Sequence, residues 1–316
     1  MNAAVRSAVE EYLFARRQLG YDMLVEGAEL RRFARYAEGV GHEGPITTAL
    51  AVRWALLPIH ADPLYRARRL DMVRRFARYR ASFDPETEVP PIGILGPSYR
   101  RPTPYIYSPQ EIRALLDEAG RLGPRGGLRP HTYTTLFGLL ACSGLRVSEA
   151  LRLRRSDVDL GAEMLTVTRT KFHKSRLVPL HPSAVGALAA YASHRDNYLP
   201  IPAAPGFFLT ERGTGLKYHK TYMTFRQLRR TLGWTSAAAR LPRIHDLRHT
   251  FAVRTLQRWY EEGQRIGNRI AALSTYLGHV KVTDTYWYLS AAPDLLAAAG
   301  ARFEACADLG FEEVRP

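Results

Sequence analysis

Arg146, Lys171, His245, Arg248, His279 and Tyr288 are of the residue types that bind an oxyanion, move a proton or make a nucleophilic attack. A phenol, with an ordinary pKa of about 10, attacks well only when a base takes its proton or positive neighbours stabilise the phenolate. Two guanidinium forks suit the non-bridging oxygens of a phosphodiester, because each binds bidentately and keeps its charge. In Ser143-Gly144-Leu145-Arg146-Val147-Ser148-Glu149-Ala150-Leu151, the arginine stands just past a glycine turn at the opening of an amphipathic helix. His245 and Arg248 are three apart in Ile244-His245-Asp246-Leu247-Arg248-His249-Thr250-Phe251-Ala252 and share a helix face. Leu277-Gly278-His279 closes one helix, and the stretch ending in Tyr286-Trp287-Tyr288 opens the next. Each residue taken singly also has a structural reading: Arg146 as a surface arginine paired with Glu149, the histidines and tyrosines as packing. Tyr286 and Tyr288 compete, but two residues along a helix rotate by about 200°, so both cannot face one phosphate.

The elements that must position these groups follow from periodicity. Ser108-Pro109-Gln110-Glu111 predicts a helix start, with a serine N-cap, proline in the first position and glutamate completing a capping box. Helices are expected at 109–119, 131–141, 146–153, 183–196, 218–231, 246–261, 266–277, 283–289 and 293–307. Strands are expected at 164–168 and 176–180, with the turn Lys171-Phe172-His173-Lys174 between them. Asp157 and Asp159 read as an ordinary turn after a helix, without magnesium-ligand spacing.

Upstream, Val5, Val9, Tyr12, Leu13, Leu30, Phe33 and Ala34 recur at helical spacing, so residues 1 to about 82 read as a small all-helical unit. Its last segment, 62–80, puts Leu70, Val73, Phe76 and Ala77 on one face and carries seven arginines against two aspartates. Too few acids are present for pairing along the helix, so Arg66, Arg68, Arg69, Arg74, Arg75 and Arg78 are expected to contact DNA phosphates. Residues 83–108, with Pro90, Pro91, Pro97, Pro102 and Pro104, read as a semi-rigid interdomain strap to which Arg100 and Arg101 add positive charge. The whole chain carries +15 with a pI of about 10.1, which makes a polyanion the leading partner class, although charge alone fits a merely basic protein equally well. Cys142 and Cys306 have neither disulfide-framework nor zinc spacing. The start lacks the apolar core of a signal peptide, and the longest apolar stretch, 136–142, falls short of the ~20 residues of a membrane span. A cytoplasmic protein with no membrane role is expected.

In order, SGLRVSEAL, TKFHKSRLVPL, HDLRHTFA and LGH followed by a tyrosine nine residues on resemble the tyrosine recombinases of the phage-integrase family, over about Ser108 to Ser290. YWYLSAAPDLL is similar to recombinases of mobile elements. The resemblance implies a mainly α fold with a small β-sheet, forming a C-shaped clamp on double-stranded DNA. Its parts would be a helical core-binding domain (1–83), a linker (84–107), a mixed α/β, mostly α, catalytic domain (108–291) and a tail helix for protomer contact (292–316). It places the catalytic arginines on Arg146 and Arg248, the hairpin lysine on Lys171, the histidines on His245 and His279, the nucleophile on Tyr288 and an orienting acid on Glu149. His245 is then the base, the arginines and His279 hold the phosphate, and Lys171 protonates the leaving 5′ oxygen. Lys174, on the same turn, competes with Lys171 and is otherwise a DNA contact. Neither metal, ATP nor another cofactor is implied. Partners would be a DNA recombination site, further copies of the chain (a dimer on a site, a tetramer in synapsis) and companion recombinases, in a bacterial cytoplasm beside the nucleoid. A type IB topoisomerase or an inert DNA-binding relative are the alternatives. The apolar-rich tail argues against the first and the complete residue set against the second.

Overall fold

The computed structural model describes residues 4–101, 103–168, 175–234, 240–264 and 266–291, divided between two compact units, Met1–Pro102 and Thr103–Pro316. The first unit is built on α1 (Ala4–Gln18), α2 (Leu24–Gly39), α3 (Thr48–Leu56) and α4 (Pro63–Arg80). Two of these helices have side-chain N-caps: Thr47 accepts from the Leu50 amide at 3.2 Å, and Asp62 from the Leu64 amide at 2.7 Å, with Pro63 in the first turn. Leu13, Leu30, Phe33, Trp54, Val73 and Phe76 form the centre of its core.

Arg69 is corrected from a DNA contact to a packing residue. Positions 69, 73 and 76 fall on one helical stripe, so Arg69 shares the inward face of α4 with Val73 and Phe76 and is only 6% exposed. Its guanidinium carbon lies 3.9 Å from the Trp54 ring centroid, and its Nε is 3.6 Å from Glu29 Oε2. The neighbouring arginines are engaged with the unit itself. Arg66 donates to the carbonyls of Pro58 and Ile59, and Arg74 and Arg75 pair with Asp71. Arg78, Arg100 and Arg101 are exposed. The proline-rich stretch lies along this unit: the Glu88 amide donates to Ile46 O at 2.8 Å, Leu95 packs on the core, and Arg68 Nε donates to Ser98 O at 3.0 Å.

The second unit contains α5 (Pro109–Gly120), α6 (Leu128–Ser143), α7 (Val147–Arg152), α8 (Pro182–Tyr198), α9 (Tyr218–Thr231), α10 (Asp246–Glu261), α11 (Ile266–Leu277) and α12 (Thr283–Ala291). Ser108 and Glu111 form the expected capping box, Ser108 Oγ accepting from the Glu111 amide at 3.1 Å and Glu111 Oε2 from the Ser108 amide at 2.7 Å. The sheet is antiparallel in the order β1 (Val158–Asp159), β2 (Met164–Val167), β3 (Arg176–Pro179). The fold is thus mainly helical with a small sheet, as expected, and one strand was not foreseen. β1 is two residues long, too short to show alternation, and exists because Val158 pairs with Leu165. Leu136, Phe137, Leu165, Val178, Phe207, Phe225 and Leu247 build the main core, while Val253, Leu256, Leu273 and Leu277 form a second cluster that receives the Tyr288 ring. Among the described residues no helix is long and apolar enough to cross a membrane.

Candidate active site

The site begins where α6 stops. Gly144, its C-cap, has φ +60°, and a Cβ there would lie 2.5 Å from the Phe251 ring, so both backbone and space require glycine. That sharp turn delivers Arg146 to the N-cap of α7. Arg146 Nη1 donates to Glu149 Oε1 at 2.7 Å and Nη2 to Gly278 O at 3.0 Å, while its amide donates to Glu149 Oε2 at 3.0 Å. The Glu149 carboxylate also takes a fork from Arg176, at 3.2 and 2.8 Å. Burial by itself would raise the Glu149 pKa; the hydrogen bonds and charge of Arg176, joined by those of Arg146, outweigh it and bring the carboxyl down to about 2.

The second strand of the site is the start of α10. Asp246, fully buried, accepts from the Arg243 amide at 2.8 Å and from its guanidinium at 2.9 Å, which fixes the turn that carries His245. His245 keeps exposed surface at this helix mouth. Its imidazole is pushed down to about 4 by the protein packed around the ring and then by the Arg248 guanidinium; Arg243 and Arg146 add to this and Asp246 opposes it. One turn on, Arg248 is 2% exposed and donates to Gly144 O at 2.8 Å and to Leu277 O at 2.7 Å. Burial, then repulsion from Arg146, lower its pKa to about 10, so it stays charged at neutral pH. Each arginine commits only part of its five-donor fork to these carbonyls.

The third strand is the α11–α12 turn. Gly278 has φ +68°, and a Cβ on it would come within 2.6 Å of the Arg176 guanidinium. His279 follows, its Nδ1 2.7 Å from Thr285 Oγ1 and its ring 6.1 Å from that of Tyr288, centroid to centroid. Tyr288 is 2% exposed, and its Oη lies 3.1 Å from His249 Nδ1, the His249 tautomer setting which atom donates. His249 in turn sits edge-on to His245, with ring centroids 4.7 Å apart.

The turns at Gly144 and Leu277–Gly278 and the first turn of α10 therefore bring Arg146, Glu149, Arg248, His245, His279 and Tyr288 to one place. Tyr286 is 48% exposed, on another side of α12. Lys171, His173 and Lys174 lie outside the described residues, as does the 292–316 tail. Three participants were not singled out from sequence: Arg176, Thr285 and, as the partner of the phenol, His249. The RLVPL segment containing Arg176 was read only as a strand. Its acid partner is 27 residues away, beyond any helical or strand spacing. A basic cavity of about 930 Å³ between α9 and the 209–217 loop was also missed; Arg129, Arg212, Lys217, Lys220, Arg226 and Arg230 line it. They are scattered over 102 positions of sequence and read as no charge run.

The pattern of the Phage integrase family matches residues 107–294, a span that begins at Tyr107 and passes beyond Tyr288. The chain is 44% identical over 305 residues to y4rB, a Sinorhizobium fredii protein named as an integrase/recombinase, covering 95% of this chain and 96% of that one. It is 31% identical over 242 residues to the tyrosine recombinase XerD of Caulobacter vibrioides, covering 75% and 73%. Among solved structures, the integrase of transposon Tn1549 in complex with transposon right end DNA has the same fold, with a TM-score of 0.68 at 17% identity over 95% of this chain and 99% of that one. The two glycine turns, the start of α10 and Arg176 all lie within the matched span, and the chain belongs to the phage integrase family of tyrosine recombinases.

Proposed function

We propose that this site-specific tyrosine recombinase cleaves each DNA strand by attack of Tyr288 Oη on a phosphodiester, forming a 3′-phosphotyrosine and releasing a 5′ hydroxyl. The observation that carries this reading is the convergence of two guanidiniums, two histidines and a phenol on the paired glycine turns. In the forward step the phenol proton passes to His245, which is neutral at pH 7 and so able to accept it. The new P–O bond forms as the bond to the 5′ oxygen breaks, and that oxygen takes a proton from Lys171. Arg146 and Arg248 hold the non-bridging oxygens as charge builds there, and His279 adds a hydrogen bond. His249, already bonded to Tyr288 Oη, holds the phenol before attack. The phosphotyrosine keeps a phosphoester bond, so a 5′ hydroxyl reseals the strand by the reverse step with neither ATP nor a metal ion.

The chain then works in a bacterial cytoplasm as a dimer on one site and a tetramer in synapsis, alone or with companion recombinases, moving a mobile element. Its resemblance at YWYLSAAPDLL and the fold shared with a transposon integrase support this finer reading. The test is to trap the covalent complex on nicked DNA flanking the gene and to sequence the attached strand. Wild type should become linked to one strand through its 3′ phosphate, while Tyr288→Phe should bind the same DNA and give no adduct. Attachment of DNA to the Tyr288→Phe protein would remove Tyr288 as the nucleophile.

A further inference from the structure

We infer that Arg176 is a positioning residue of the site, the strut that holds Arg146 and the Gly278–His279 turn in the geometry that grips the phosphate. The inference rests on the proposed role of Arg146. Arg176 uses its three nitrogens on two different elements: Nη1 and Nη2 fork onto Glu149 at 3.2 and 2.8 Å, and Nε donates to Tyr276 O at 2.8 Å. The face of the same guanidinium lies against Gly278, where no side chain would fit. Gly278 O is in turn an acceptor for Arg146 Nη2. One planar group thus joins β3, the acid that orients Arg146, and the carbonyl-bearing turn that Arg146 grips from the other side.

The charge arithmetic gives Arg176 a purpose that packing alone does not. Glu149 is buried, and the guanidiniums facing it are those of Arg146 at the start of α7, Arg176 on β3 and, through space, Arg248 on α10. With Arg176 in place the carboxylate is shared between two forks. Arg146 is oriented without being fully neutralised and retains positive charge for a phosphate. Without Arg176, a buried carboxylate loses two of its hydrogen bonds and a balancing charge, so it draws harder on Arg146 or takes up a proton and stops orienting it. Lysine cannot replace this strut, because one ammonium cannot span Glu149 and Tyr276 O with fixed planar geometry.

The test compares wild type, Arg176→Gln and Arg176→Lys in three measurements: thermal midpoint, carbon-13 titration of the Glu149 carboxyl in free protein, assigned with Glu149→Gln, and single-turnover adduct formation at neutral pH. The substrate is the nicked DNA recovered with wild type in the trapping experiment. Arg176→Gln should bind this DNA as wild type does, form adduct about 100-fold more slowly, and titrate Glu149 at least about one pH unit higher. Arg176→Lys should keep Glu149 low yet remain slow, which a role through charge alone would not produce. Wild-type rates in either variant overturn the inference, as does slowing that follows the thermal midpoint while the Glu149 titration stays put. Should Arg176→Gln not fold, Arg176→Lys decides by its rate. Absence of adduct with wild type is a different result: it defeats the proposed function, and the Glu149 titration still reports on the strut.

Discussion

At the scale of single residues, the structure puts permanent charges beside the groups that would change charge in the proposed reaction. Arg248 is buried yet stays protonated, because the carbonyls of Gly144 and Leu277 replace the water it lost. Its charge, with those of Arg243 and Arg146, is part of what keeps the nearby His245 imidazole in its neutral form. The consequence is measurable by proton–carbon NMR, with His245→Asn to identify the signal. In free protein His245 should gain its proton only near about 4, well below the ordinary histidine value. Titration at the ordinary value would show that burial and the arginine charges do not act on this ring. The sign for stability is fixed as well. The unfolded chain binds this proton more readily, so the contribution of His245 to stability is complete above the ordinary histidine pKa and is lost as pH falls toward about 4.

At the scale of elements, Arg146 and Arg248 are placed by helix ends. Gly144 closes α6, and Leu277 is the last residue of α11 with Gly278 just beyond; their carbonyls face outward where helix C-termini carry partial negative charge. Two guanidiniums therefore find acceptors and a favourable field at the same turns. The arginine-rich helix α4 shows the opposite use of the residue type. Arg69 faces Trp54 and Glu29 inside the unit, whereas Arg78 is exposed. Removing the Arg69 side chain strips a cation from a buried pair and leaves a void against Trp54. Arg69→Ala should therefore destabilise the first unit by roughly 3 kcal/mol, read as a lower urea midpoint. Arg78→Ala should leave that midpoint nearly unchanged. Equal midpoints for the two variants would return Arg69 to the list of surface arginines.

At the scale of the whole molecule, the charge of +15 supplies a field that draws in a polyanion, and its local expressions are separate. The 62–80 arginines are mostly tied to acids and carbonyls of their own unit, while the α9 cavity gathers six basic residues that are distant in sequence. Assembly belongs to this scale too. The proposed tetramer would use the apolar-rich sequence of 292–316, with Pro293-Asp294-Leu295-Leu296 and Phe303, as its docking segment. Deletion of residues 292–316 should leave adduct formation on a single nicked site intact and abolish synapsis, followed by gel shift with two labelled sites. Normal recombination by the shortened chain would exclude tail exchange.

Much of this protein is written locally. Ser108-Pro109-Gln110-Glu111 caps a helix wherever it stands, glycine is needed at 144 and 278 because the backbone there is left-handed, and the helices of the second unit follow from caps, breakers and apolar spacing together. The order of Arg146, His245, Arg248, His279 and Tyr288, with their neighbours, was also enough to indicate the chemistry. What only the tertiary structure decided is which groups share a partner across long separations. Glu149 meets Arg176 and Tyr288 meets His249 through contacts that no local period encodes. Arg69 was misassigned because a charge count along α4 cannot tell that its stripe turns inward. Local sequence fixes the turn that aims a side chain, but burial and long-range hydrogen bonds determine what it meets there.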